Sequence, residues 1–156
     1  MNPWSGTVAA LHLCPRSFLP MKSADALILV ADVGLEGDRY AAGIGFYSDR
    51  PEPGRQITLF EMETLEALKR DHGVSISPAD HRRNVTTCGV PLNHLVGVRF
   101  RVGVVLLEGT RLSTPCRHIE QVTGQEIFAL FLNRCGLHAR ILEGGPIALG
   151  DPIRPE

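Results

Sequence analysis

The second half of this chain is built from short apolar, β-branched runs, each ended by glycine. Residues 84–87, 98–102, 104–110, 138–143 and 147–149 read as strands, with Gly103, Gly144-Gly145-Pro146 and Gly150-Asp151-Pro152 as the turns between them. Residues 6–13 and 26–33 add two strands near the N-terminus, the second apolar enough to be buried on both faces. Strand and helix do not alternate regularly, which disfavours a parallel doubly wound sheet. The pattern predicts a mainly β, α+β chain. It fits a closed or nearly closed antiparallel barrel of about seven or more short strands, with two or three helices packed outside.

Two helices are predicted from capping boxes. Thr58-Leu59-Phe60-Glu61 precedes apolar positions Leu59, Met62, Leu65 and Leu68 at helical spacing, and Gly73 is the stop. Thr123-Gly124-Gln125-Glu126 repeats the device, with Ile127, Leu130, Phe131 and Cys135 as one face and Gly136 as the stop. Residues 41–55, rich in Gly, Pro, Ser and Asp, read as a long loop of the kind that carries function.

At 156 residues and 44% hydrophobic content, the chain is expected to be one domain, 1–156, with a core of its own. With 16 basic and 17 acidic residues it is not expected to use nucleic acid as its partner. No apolar run approaches the roughly 20 residues of a membrane-spanning helix. The first 13 residues show no basic and apolar leader pattern. The four cysteines, at 14, 88, 116 and 135, form no CxxC pair. Scattered thiols in a chain without a leader point to a reducing, cytoplasmic setting.

Chemistry concentrates at Ser113-Thr114-Pro115-Cys116-Arg117-His118. Thiols react as thiolates, and neighbouring positive charge favours that form. On an extended segment Cys116 and His118 share a face, so His118 can take the thiol proton while Arg117 adds charge. The competing reading is a small buried hydrophobe, the usual fate of a free cysteine; Cys135, on an apolar helix face, suits that reading better. A second set, Lys22, Arg39, Arg55, Arg82, Arg83 and Arg117, forms an anion site if several members converge, and is otherwise ordinary solvated charge. Asp38, within Gly34-x-x-Gly37-Asp38-Arg39, can bind or simply cap a turn. No phosphate loop or dinucleotide fingerprint is present, and the Cys and His spacings match no closed zinc set.

Several motifs occur in a recognisable order. They are Gly34-Leu35-Glu36-Gly37-Asp38-Arg39-Tyr40, Arg55-Gln56-Ile57-Thr58-Leu59, Arg82-Arg83-Asn84-Val85, Leu95-Val96-Gly97 and Pro115-Cys116. Gly136-Leu137-His138-Ala139-Arg140, Gly144-Gly145 and Gly150-Asp151 complete the series. In this order the chain resembles the MOSC domain, which also forms the C-terminus of molybdenum cofactor sulfurases, from about residue 20 to its end. The resemblance implies a β-barrel-like fold with flanking helices and makes Cys116 the family's characteristic cysteine.

Two roles for that thiol follow from the resemblance. It carries sulfur as a persulfide received from a pyridoxal-phosphate cysteine desulfurase, a role that requires no bound cofactor. Alternatively it ligates molybdenum in molybdopterin, in relatives that reduce N-hydroxylated compounds. The family also implies that Lys22, Arg39, Arg55, Arg83 and Asn84 line the cofactor's anion pocket, with Asp38 in the same binding set, and that Arg117 and His118 serve Cys116. The bare single-domain length lacks the extra domains, desulfurase and electron-carrying motifs of larger relatives. Sulfur transfer is therefore the first expectation, molybdenum-dependent reduction the second and a non-catalytic cofactor-binding module the third. A desulfurase or reductase partner supplies sulfur or electrons, the ligand is a small anion, and exposed edges of a small β domain suit a homodimer.

Overall fold

A computed structural model describes residues 3–45, 47–115 and 117–156. Its elements are β1 (Gly6–Leu13), β2 (Lys22–Ala24), β3 (Ala26–Val30), β4 (Gly34–Leu35), β5 (Ile57–Glu61), α1 (Met62–His72) and β6 (Val85–Cys88). They continue with β7 (Arg99–Val102), β8 (Val105–Leu112), α2 (Arg117–Thr123), β9 (Leu137–Glu143), β10 (Gly145–Ala148) and β11 (Pro152–Pro155). Strands β11, β7, β8, β9, β5, β6 and β1 pair in that order, and β1 pairs back onto β11, closing a seven-strand barrel. β2 adds to β1 outside the ring, while β10, β3 and β4 form a separate small sheet.

The barrel departs from a purely antiparallel one at a single junction. β5 and β6 pair in parallel, Leu59 against Val85, because α1 carries the chain back between them, as a parallel pair requires. The expected helix start at Thr58 is corrected by the same unit. Residues 57–61 are a strand, and α1 begins at Met62 after Glu61, whose side chain makes no cap bond. The buried residues Ile57, which is β-branched, and Leu59 satisfy their backbone against β9 and β6. The Thr58 hydroxyl donates to Oδ1 of Asn84 at 3.0 Å, not to a helix N–H. Gly73 does end the helix, at φ 67° in the left-handed region that glycine adopts without strain.

The second expected helix is also corrected. Thr123 ends α2, its hydroxyl donating to Ile119 O at 2.8 Å, and Gly124 turns away at φ 68°. Between 125 and 136 the chain makes only a short 3₁₀ turn, Ala129–Phe131. Its apolar face nevertheless exists: Ile127, Phe131 and Cys135 are buried with Phe60, Leu65 and Leu68 in a cluster between α1 and the barrel wall. β3 is shorter than expected and buried on one face only. Leu27 and Leu29 point inward while Ile28 and Val30 are exposed, because among the described residues nothing covers the outer face of the small sheet. The barrel interior holds Phe100, Val102, Leu107, Ile141, Ile57 and Val85, all fully buried. Each fully buried large side chain contributes roughly 1.5–3 kcal/mol of transfer free energy.

Among the described residues, no helix is long and apolar enough to cross a membrane.

Candidate functional site

At one mouth of the barrel, the segments before β6, after β8 and at the start of α2 meet the loop 39–55 around a cavity of about 620 Å³. Its wall carries seven arginines, Arg39, Arg50, Arg55, Arg82, Arg83, Arg111 and Arg117, and among the described residues no carboxylate. The chain brings these groups together by specific local means. Arg82 has φ 67°, which costs a non-glycine residue roughly 1–2 kcal/mol. That turn breaks strand alternation, so consecutive side chains Arg82 and Arg83 both reach the cavity. Asn84 then braces the entrance to β6: its Oδ1 accepts from Thr58 N at 3.1 Å and its amide donates to His12 O at 3.2 Å.

Several of the cations are balanced from behind the wall. Glu52 accepts from Arg111 Nε at 2.9 Å and lies 4.0 Å from Arg55, and Glu120 lies 2.7 Å from Arg117. Asp38, itself buried, sits 3.5 Å from Arg39 and accepts from the backbone N–H groups of Cys14 at 3.0 Å and Tyr40 at 3.1 Å. Arg82 is different. It is only 7% exposed and has no carboxylate partner among the described residues. Its guanidinium donates to Leu19 O and approaches Cys14 Sγ at 3.9 Å, and its Nε is buried without a partner among the described residues. The Cys14 sulfur also lies 2.6 Å from Arg16 O and 3.4 Å from Leu19 O.

Three histidines line the cavity as neutral rings. Nδ1 of His81 accepts from the Arg83 backbone N–H at 3.0 Å, so Nε2 carries the proton and donates to Thr86 Oγ1 at 2.8 Å. Complete burial holds its pKa well below the ordinary value. His138 is lowered to about 3 by burial, then by Arg83 and Arg111. His118 is lowered by burial and by Arg82, and its Nδ1 is buried without a partner among the described residues. Its ring meets Phe18 edge-on, centroids 4.6 Å apart.

Of the residues expected at the site, Arg39, Arg55, Arg83, Asn84, Arg117 and His118 line this one cavity. Lys22 stands on β2 opposite Leu13, exposed and outside the lining. Asp38 also lies outside it and acts as the anchor described above. Cys116, expected as catalytic thiol and metal ligand, lies outside the described residues. Thr114, Arg117 and His118, which flank it in sequence, line the cavity. The extended register expected for residues 116–118 does not extend to His118, which lies in the first turn of α2. Cys135 reaches the lining too, with Arg83 Nη2 3.5 Å from its Sγ.

Sequence reasoning did not single out Arg111, Ser113 and His138 as site residues. The signals were present, Ser113 in the same motif as Cys116 and His138 inside Gly136-Leu137-His138-Ala139-Arg140, but their meeting depends on β8 pairing with β9. A second, open cavity of about 420 Å³ adjoins the first, sharing Tyr40 and Arg55 and adding Asp32 and Glu52.

Fold and site define a small closed β-barrel with an arginine-lined cavity at its mouth. The chain belongs to the MOSC domain family, whose model matches residues 47–154. The YuaD protein of Bacillus subtilis shares the fold at a TM-score of 0.81, with 20% identity over 96% of each chain. YiiM of Geobacillus stearothermophilus aligns with 97% of this chain and 75% of its own, at TM-score 0.74 and 12% identity. YiiM of Escherichia coli aligns with all of this chain and 70% of its own, at 0.68 and 19%. No curated protein matches this chain.

Proposed function

We propose that this MOSC protein binds a phosphate-bearing pterin cofactor of the molybdenum type in the arginine-lined cavity and presents Cys116 to it as a soft sulfur ligand. The observation that carries this reading is the cavity wall, with seven guanidinium groups and no carboxylate among the described residues. Seven cations around one cavity are met most directly by a bound phosphate, which ranks cofactor binding ahead of the sulfur-carrier role; in that second role the same wall holds an anionic sulfur acceptor. The volume falls within the roughly 300–1,000 Å³ of ordinary ligand sites. Guanidinium groups match phosphate oxygens in paired hydrogen bonds.

The donor set fits the group. Arg82 and Arg83, adjacent in the wall and without an ion pair among the described residues, would hold the phosphate. When bound, such a cofactor supplies two-electron redox chemistry at the metal. The chain's own contribution is charge and hydrogen bonding: Arg117 adds positive charge beside Cys116 in sequence, and Nδ1 of neutral His118, unpartnered among the described residues, is open to a hydrogen bond from a donor in the cavity. Electrons, or sulfur in a transfer reaction, come from a partner protein.

Metal and pterin measurement on protein purified from a cofactor-competent host tests the reading. Bound molybdenum and pterin fluorescence are expected, with the metal lost in Cys116→Ser. Protein free of both sinks it. The second reading, sulfur transfer, draws on the same unpaired His118 Nδ1 and the positive charge beside the thiol. It predicts one added sulfur atom on Cys116 by mass spectrometry after incubation with a cysteine desulfurase and cysteine, and an unmodified, accessible thiol argues against it.

A further inference from the structure

Donors dominate the cavity wall, since a guanidinium donates and never accepts. One hydroxyl facing them has its proton already committed. Nδ1 of His138 lies 2.9 Å from Gly54 O. A carbonyl oxygen only accepts, so Nδ1 carries the ring proton and Nε2 is bare. Nε2 lies 3.2 Å from Ser113 Oγ, and a bare ring nitrogen accepts, so the Ser113 hydroxyl donates to it. Only lone pairs of Ser113 Oγ then remain to face the cavity.

The arrangement is held from several sides. A Cβ at Gly54 would stand 2.9 Å from Cβ of His138, so the carbonyl's approach depends on glycine. Ser113 N donates to Gly136 O at 2.8 Å, fixing the residue between β8 and β9. Ser113 and His138 are 5% and 7% exposed, and both line the cavity. The neutral state of His138, enforced by burial and Arg83, keeps the ring from donating toward Ser113.

We infer that Ser113 is a fixed hydrogen-bond acceptor that reads an N–H donor edge on the uncharged ring of the ligand, while the arginines take its phosphate. The inference rests on the cofactor-site reading of this cavity and assigns Ser113 as a specificity-determining residue. The ligand class it selects is a phosphorylated heterocycle that turns a ring N–H or amino donor edge toward Ser113. A ring offering an acceptor at this point would set lone pair against lone pair.

Calorimetric titration with guanosine monophosphate, which carries that edge and a phosphate, tests this against ribose 5-phosphate and inorganic phosphate. In the wild type the nucleotide is expected to bind more tightly than either comparator. Ser113→Ala should weaken nucleotide binding by roughly tenfold to a hundredfold, the cost of an unpaired buried donor. It should leave inorganic phosphate unchanged, and Ser113→Thr, which keeps the hydroxyl, should restore the nucleotide. Phosphate binding with no effect of Ser113→Ala on the nucleotide overturns the role of Ser113 alone. Absence of phosphate binding overturns the cavity reading with it. Nitrogen-15 NMR of wild-type His138 needs no variant: a proton on Nε2 instead of Nδ1 overturns the inference directly.

Discussion

Arg111 Nε donates to Glu52 Oε1 at 2.9 Å across 59 residues of chain, joining β8 to the long loop that walls the cavity. The same carboxylate lies 4.0 Å from Arg55. One acidic group, outside the main cavity, therefore offsets two cations inside it. Glu52→Gln should keep the shape and release that charge. Both partners are partly exposed, so the gain is modest: affinity for inorganic phosphate should rise roughly twofold to fivefold. The rise should shrink at high salt. Weaker phosphate binding in calorimetry would mean that Glu52 serves to position Arg111 and not to temper it.

The barrel was legible in the sequence because its strands are short apolar runs closed by glycine. β1 spans the residues that its pattern marks, and β6 to β10 fall within a residue or two of expectation. The helix starts were not legible. Thr58 through Glu61 spells a capping box, but the residues that start it also suit a strand. The ladder to β6 and β9 and the Thr58–Asn84 bond decide in favour of the strand. Residues 127–135 show a helical apolar spacing that the barrel wall buries without any α-helix. Five of the seven arginines, Arg39, Arg55, Arg82, Arg83 and Arg117, were legible as a set, while Arg50 and Arg111 were not. What could not be read was charge balance, since Glu52 and Asp38 offset particular arginines only through contacts that the folded chain creates. Arg82 consequently stood out no more than its neighbours.

His138 makes a specific pH dependence. Its pKa in the folded chain is about 3, against 6.5 when unrestrained. Between those values the unfolded chain binds a proton that the folded one refuses. This contribution to stability is therefore full above about pH 6.5 and is lost as pH falls toward 3, at about 1.4 kcal/mol per pH unit. Buried His81 acts in the same direction. His138→Gln should flatten the slope of unfolding free energy between roughly pH 4 and 6 by about one proton's worth. Urea titrations across that range check it, and an unchanged slope would place the acid sensitivity in other groups.

Phe131 tests how the segment 127–135 is held. It is fully buried, meets Phe60 edge-on with centroids 5.6 Å apart, and lies in a 3₁₀ turn too short to be stable alone. Packing must supply the stability that helical hydrogen bonding does not. Phe131→Ala should cost about 3–5 kcal/mol by denaturant unfolding, the usual penalty for emptying a core aromatic site. A loss under about 1 kcal/mol would show that the site collapses and that the cluster is looser than its burial indicates.

Arg82 sets function against stability. Its guanidinium is buried, its Nε is unpaired among the described residues and its backbone is left-handed. Burial and the nearby Arg39 disfavour its charged form. Removing an uncompensated buried charge relieves a desolvation penalty that no ion pair among the described residues offsets. Arg82→Met keeps much of the packing volume and removes the charge. The variant should melt at the same temperature as wild type or higher, while its affinity for inorganic phosphate falls roughly tenfold, the loss of about one charge-assisted hydrogen bond. Arg117→Met, which removes a cation already paired with Glu120, should change phosphate affinity far less. Thermal unfolding and calorimetry on the two variants decide the matter: a destabilised Arg82→Met protein with unchanged phosphate affinity would make Arg82 a structural brace holding Leu19, and would move the anion to another part of the wall.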